Sequence, residues 1–441
     1  MGQIGWIVLV SIICLMLPIR YLIVVGIMGV ALADTRLVSY DFVYYLRFVP
    51  TGILCFRLLA ELSKKPIKAN SCFMVKVWAP FLALALISAM YSLQPLLSIQ
   101  RAVSACLVLG GFGIGIPIYF GDEKKIIRLF WLICSIMGMG LFYSLYLAMS
   151  DKSVSIGYGE YDRVSGIFKN PNTLGVLAMQ LIFILMYFWD RQRRKISGRI
   201  WFGVTIGIGT AMVTSGSRAS VLGFCMGLLI YIWGNSRVQK KALPTVWTVV
   251  LILVSIFLTV GYVFPVYGGS LFRMDSAGRN TLWSKAWDIY RGGSPWGAGF
   301  GASDELFRQE AQSLGGIKLY TPESHNSFLR LLLDLGFPGV VLALIAFSVL
   351  ICRSWKYLLY FENPRLGVLL LAAVIGSLVD SLLESWLFGF GSSSSVPFWL
   401  FLAILSHLSD QAKVRLECVK QYYKFCQVAR LVPRESRFHQ V

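Results

Sequence analysis

Apolar runs of span length recur along almost the whole chain, separated by short polar loops. They fall at about residues 2–17, 20–33, 41–60, 74–93, 98–119, 126–149, 172–189, 200–215, 219–233, 246–265, 328–352, 366–385 and 394–408. A helix needs roughly 17–25 such residues to cross the hydrocarbon core of a bilayer. No water is available there, so each run must close its backbone hydrogen bonds internally, as a helix does. The pattern predicts an all-α, polytopic membrane protein with about 12 transmembrane helices, or 13 if the first two short runs are counted apart. The first run, Ile4 to Met16, has neither a basic stretch before it nor a small-residue cleavage site. It reads as a retained span rather than a signal peptide.

One stretch interrupts the rhythm. Residues 266–327 form a long polar loop in which Leu282, Trp283, Ala286, Trp287, Ile289 and Tyr290 recur at helical spacing on one face. This predicts an amphipathic helix lying along the membrane surface. The loop is too short to hold a core of its own. The chain thus divides into spans over 1–265, the loop 266–327, C-terminal spans over 328–408 and a basic tail, 409–441.

Composition supports this. The 441 residues are 56% hydrophobic and 14% charged, where a soluble domain carries about 25% charged residues. A net charge of +19 could indicate a nucleic-acid partner, but its distribution favours another cause. Lys64, Lys65, Lys68 and Lys76 share one loop, and Lys124, Lys125 and Arg128 another. Arg191, Arg193, Arg194, Lys195 and Arg199 form the densest cluster, followed by Arg237, Lys240 and Lys241, then Arg353, Lys356 and Arg365, then the tail. Every second loop is basic, as the insertion bias toward the cytoplasm requires. The loops between them, 150–171, 215–218 and 266–327, are expected outside. Nine cysteines are present, none in either long outside loop, so no disulfide is expected there.

Five features carry candidate chemistry, and the charge pattern puts all of them outside. They are RVSGIFKNPNTLG (Arg163 to Gly175), SGSRAS (Ser215 to Ser220), GRNTLW (Gly278 to Trp283) leading to SPWGAGFG (Ser294 to Gly301), SHNSFLRLLLDLGFPG (Ser324 to Gly339), and Arg101 in SIQRA. Arg218 lies in a very short turn at the hydrocarbon edge, where an arginine is costly unless it snorkels or meets an anion. Arg101, Arg163 and Arg279 on the same face suggest a site for a phosphorylated ligand. His325 is the one histidine on that face, with Glu323 upstream and Asn326 beside it. It is a candidate proton acceptor, or else a plain helix cap. No spacing suits a metal site, and no metal or cofactor is expected. Asn172 is expected to cap the helix that follows Pro171. The glycines of SPWGAGFG lack the strand and the Lys-Ser/Thr of a nucleotide loop, and are expected to make tight turns under the outer helix.

In this order, R-x-S-G-x-F-x-N-P-N, S-G-S-R, G-R-x-x-L-W and H-N-x-F-L followed by L-G-x-x-G resemble the O-antigen ligase and Wzy-type polymerase superfamily of bacterial envelope glycosyltransferases. The likeness runs over about residues 90–405. It implies a metal-independent, inverting transfer of glycan from undecaprenyl diphosphate at the periplasmic face of the bacterial inner membrane. The acceptor would be lipid A–core for a ligase or a second lipid-linked glycan for a polymerase. The resemblance gives Arg218 and Arg279, and by extension Arg163 and Arg101, to the diphosphate. It gives His325 to the acceptor hydroxyl, with Asn170, Asn172 and Asn326 in support. The alternative from another class is a transporter or flippase of lipid-linked sugar. Such a protein needs ionisable residues deep in several spans; here they are scarce, with Asp380 and Glu384 close to an outer end.

Overall fold

The computed structural model describes residues 3–36, 49–58, 60, 72–150, 163–192, 194–240, 279–313 and 324–431. The expected span at 246–265, the first part of that at 41–60 and the loop lysines Lys64, Lys65 and Lys68 lie outside these residues.

The described chain is helical. Its elements are α1 (Gln3–Met16), α2 (Ile19–Ala33), α3 (Val49–Leu58), α4 (Phe73–Ile87), α5 (Pro95–Tyr119), α6 (Glu123–Ser150) and α7 (Pro171–Gln192). They continue with α8 (Ile196–Thr214), α9 (Arg218–Gln239), α10 (Arg279–Gly292), α11 (Ser303–Ser313), α12 (Ser327–Tyr357), α13 (Pro364–Ser381) and α14 (Ser395–Leu431). Among the described residues, 8 helices are long and apolar enough to cross a membrane: α4 to α9, α12 and α13. The chain is a multi-pass membrane protein. Most of α7 and α13 is buried inside the bundle, whereas α8 and α9 turn most of their surface outward. The first half of α14 is buried on all sides, with Trp399 stacked against Phe347 and Phe390.

Two seams position the site. The first joins α9 to α13. A Cβ on Gly223 would stand 2.5 Å from the Gly376 carbonyl oxygen, and one on Gly227 2.7 Å from that of Ala372. Small residues at this spacing let two backbones meet, where apolar side chains offer no advantage over lipid. The second seam is the break in α12. Gly336 adopts φ 64°, ψ −167°, a conformation open essentially only to glycine, and Pro338 restarts the helix, where its missing N–H costs nothing. The break exposes carbonyls that the glycine-rich turn satisfies: Ala298 N–H donates to Leu333 and Gly299 N–H to Asp334, both at 2.9 Å.

The amphipathic stretch forms α10. Ala286 is buried against Phe307 of α11 and Leu333 of α12, with Ile289 and Tyr290 packed around them. Trp287, expected on that face, is instead 43% exposed beneath Arg291, because the packed stripe follows 286, 289 and 290. The last helix also continues beyond the expected span. Helix α14 runs past 408 to Leu431, and Asp410 and Arg415 pair with Arg353 and Glu362. Those pairs, with Arg365–Asp190 at 2.8 Å and Arg191–Glu123 at 3.9 Å, gather residues of three separate basic segments and the tail at one end of the bundle.

Candidate functional site

The opposite end is built around the start of α12. Asn326 caps that helix, its Oδ1 accepting from the N–H groups of Phe328 and Leu329 at 3.0 and 2.9 Å. This satisfies two donors that an uncapped helix would leave open. Ser327 holds the same turn from the other side: its Oγ donates to the Glu384 carbonyl at 2.6 Å and accepts from Leu387 N–H at 3.2 Å. Trp283 of α10 donates through Nε1 to the Ser324 carbonyl at 2.9 Å. His325 is left between these anchors with φ 45°, a left-handed conformation that few non-glycine residues adopt. Backbone strain of this kind persists only where the surroundings enforce it.

The His325 side chain faces a carboxylate that the sequence did not connect with it. Its Nδ1 lies 3.5 Å from Glu384 Oε2. The distance is long for a hydrogen bond. Glu384 is 6% exposed, and a buried carboxylate requires partners. Asn172 Nδ2 donates to its other oxygen at 2.8 Å. Asn172 Oδ1 accepts in turn from Arg163, whose Nε donates to the Ser215 carbonyl at 3.0 Å. One polar chain thus links the SHN, NPN, RVSG and SGS motifs.

Asn172 therefore does not cap α7. That helix begins at Pro171, and Asn170 Oδ1 accepts from the Asn172 N–H at 2.9 Å. The Asn-Pro-Asn turn sits one residue earlier than expected, which turns the Asn172 side chain inward, toward Glu384.

Asp380 forms the floor. It is fully buried, and accepts from Ser220 Oγ at 2.8 Å and Trp386 Nε1 at 2.7 Å. The α9–α13 glycine seam makes the first bond possible, since Ser220 and Asp380 lie one turn beyond Gly223 and Gly376 on facing sides. Ser217 caps α9, and its Oγ lies 2.9 Å from Ser220 Oγ. The turn docks on α7 at Gly175, where a Cβ would stand 2.7 Å from Ser215 Oγ and from Ser217 Cβ. Arg218 opens α9 in the same turn, half-buried.

The remaining arginines lie as follows. Arg279 opens α10, one helical turn before Trp283; its side chain lies outside the described residues. Arg101, in the second turn of α5, stands 3.5 Å from Asp304 of α11, which Arg330 of α12 also engages at 2.6 Å. The structure brings Arg101 to the α5–α11–α12 corner, and Arg163 into the polar chain with Asn172. Asp380 and Glu384 were missed as site residues. The signal was available: two carboxylates at the end of an apolar run, Asp380 in the last turn of α13 and Glu384 just past it, are each costly without a partner. Among the described residues, no three His, Cys, Asp or Glu side chains converge where a metal could sit.

Residues 205–344 match the family model described as O-antigen ligase. The segment is thus similar to O-antigen ligases. The match supports the superfamily read from the motifs. It starts in α8 and ends in α12, so it takes in Arg218, Arg279 and His325 together with the outer layer of α10 and α11. Arg163, Asn172, Asp380 and Glu384 lie beyond it and reach the matched segment through the contacts above. Among curated proteins, none matches the chain.

Proposed function

We propose that this protein transfers a glycan from undecaprenyl diphosphate to a hydroxyl of lipid A–core, as an O-antigen ligase, at the periplasmic face of the inner membrane. The observation that carries the proposal is the His325–Glu384 pair, held in strained backbone within the segment matched as O-antigen ligase. Nδ1 faces the carboxylate at 3.5 Å, and Nε2 is assigned the proton of the acceptor hydroxyl. The acceptor oxygen attacks the anomeric carbon from the face opposite the diphosphate, and its proton passes to Nε2. The bond from the anomeric carbon to the phosphate oxygen breaks with its electron pair, so configuration inverts. Arg218 and Arg279 hold the charge of the departing diphosphate, which makes it a good leaving group.

The test uses purified protein in nanodiscs with lipid-linked glycan. Product that forms only when lipid A–core is added supports the ligase. Lengthened lipid-linked chains without it make the protein a polymerase. Donor crossing a vesicle membrane with no product of either kind favours the transporter reading and sinks the proposal.

A further inference from the structure

A cavity of about 390 Å³ opens beside the outer layer, bordered by Ile289 and Tyr290 of α10, Trp296 of the glycine-rich turn, and Tyr91 and Leu93 between α4 and α5. Its volume falls within the range of ligand pockets. The walls are fixed to one another. Tyr91 Oη donates to the Trp296 carbonyl at 3.0 Å, and Leu93 N–H to that of Ala298 at 2.9 Å. Gly297, at φ 79°, lies flat on the α12 break, where a Cβ would meet the Asp334 carbonyl at 2.5 Å. The turn is therefore pressed down on α12, while the Trp296 ring stays at the rim, 55% exposed. None of these residues was given a part in the transfer above.

The lining restricts the occupant. It contains no Lys, Arg, Asp or Glu, so nothing there would neutralise a phosphate. It is not purely apolar either, because Ser294, two tyrosine hydroxyls and the backbone of the turn line it with the three rings. A lipid tail would use the rings but not this polar lining, whose hydroxyls can each take a further hydrogen bond beyond those made within the protein. A sugar suits both features: its C–H face meets the negative face of an aromatic ring, and its hydroxyls meet the tyrosines and the turn. Position agrees. Trp283 holds the carbonyl just before His325, and Tyr290 follows seven residues later on the same helix, about 10 Å along its axis. That is the reach of a short run of linked sugars.

We propose that this cavity is a saccharide subsite, gripping the glycan a few sugars from the linkage that is made. The identity of its ligand rests on the transfer reading. The experiment uses the full chain in nanodiscs and oligosaccharide released by mild acid from the lipid-linked glycan, followed by calorimetric titration. Wild type should bind it. Trp296→Ala should weaken binding about tenfold, the loss of one stacking contact, and Trp296→Phe should restore most of it. In transfer assays Trp296→Ala should raise KM for donors with long glycans and leave a single-sugar donor unchanged. Unaltered binding in Trp296→Ala overturns the subsite, as does an equal loss with the single-sugar donor. Displacement of the oligosaccharide by a short polyprenol would reassign the cavity to lipid. Normal oligosaccharide binding without any transfer would sink the ligase reading and leave the subsite standing.

Discussion

At the scale of single residues, the proposed transfer turns on His325 and Glu384. Imidazole next to buried carboxylate is an arrangement for moving a proton, and His325 sits here on backbone that its anchored neighbours hold at a left-handed φ. His325→Ala should cut turnover by roughly a hundredfold or more, the scale of a lost general base, with donor binding retained. Near-normal turnover in a folded variant would reduce His325 to part of a helix cap. Glu384→Gln keeps a side chain that Asn172 can still bond, but removes the charge facing Nδ1. Turnover should fall at least about tenfold as the ring loses its fixed tautomer, with KM for donor unchanged; a rise in KM alone would place Glu384 in binding. Arg218→Lys preserves charge and loses the two-pronged fork that matches a phosphate. A loss of about tenfold or more corresponds to one charge-assisted hydrogen bond, and full activity would leave Arg218 only a general electrostatic part.

At the scale of elements, two helix contacts set the geometry of the site. Gly175 is where the SGSRAS turn meets α7, and Gly175→Ala places a methyl group within 2.7 Å of two serines. The cost of such overpacking is about 1–3 kcal/mol. Because the displaced turn carries Ser220 and Arg218, activity should drop well beyond the fall in thermal stability. Equal falls would make Gly175 a packing residue alone. Gly336→Ala is a contrasting case: its Cβ would meet the Pro295 carbonyl oxygen at 1.9 Å, so the outer layer should detach from α12. A lowered Tm in detergent, with new proteolysis between α10 and α12, is the expected outcome.

For the whole molecule, charge predicts which end faces which compartment. A cysteine at Arg308, exposed on α11, should react with an impermeant maleimide in spheroplasts, and one at Lys195, exposed before α8, should not. The reverse pattern would invert the proposed orientation and put the His325 end in the cytoplasm. Probe position matters, since Ser303, at the start of the same helix, is 1% exposed, with its N–H on Asp334. A cysteine there would be protected on either side of the membrane.

Much of this was legible in the sequence because its causes are local. Bilayer thickness sets the length of an apolar run, insertion bias marks alternate loops, and helical periodicity reveals α10; none depends on distant partners. The motifs likewise carried Arg218 and His325 as candidates. Contacts between remote segments were decided only by tertiary structure. Asn172 and Glu384 are 212 positions apart, and Ser220 and Asp380 160. No local pattern could show that a glycine seam would bring Asp380 under the SGSRAS turn. Nor could it show that Asn172 would turn inward to Glu384, or that Arg101 would lie against Asp304. The physical reason is burial: a carboxylate within the bundle must find donors, and which donors are within reach depends on how the helices cross. The sequence could say that Glu384 needed a partner, but only the packing could supply Asn172 and turn the opposite oxygen to His325.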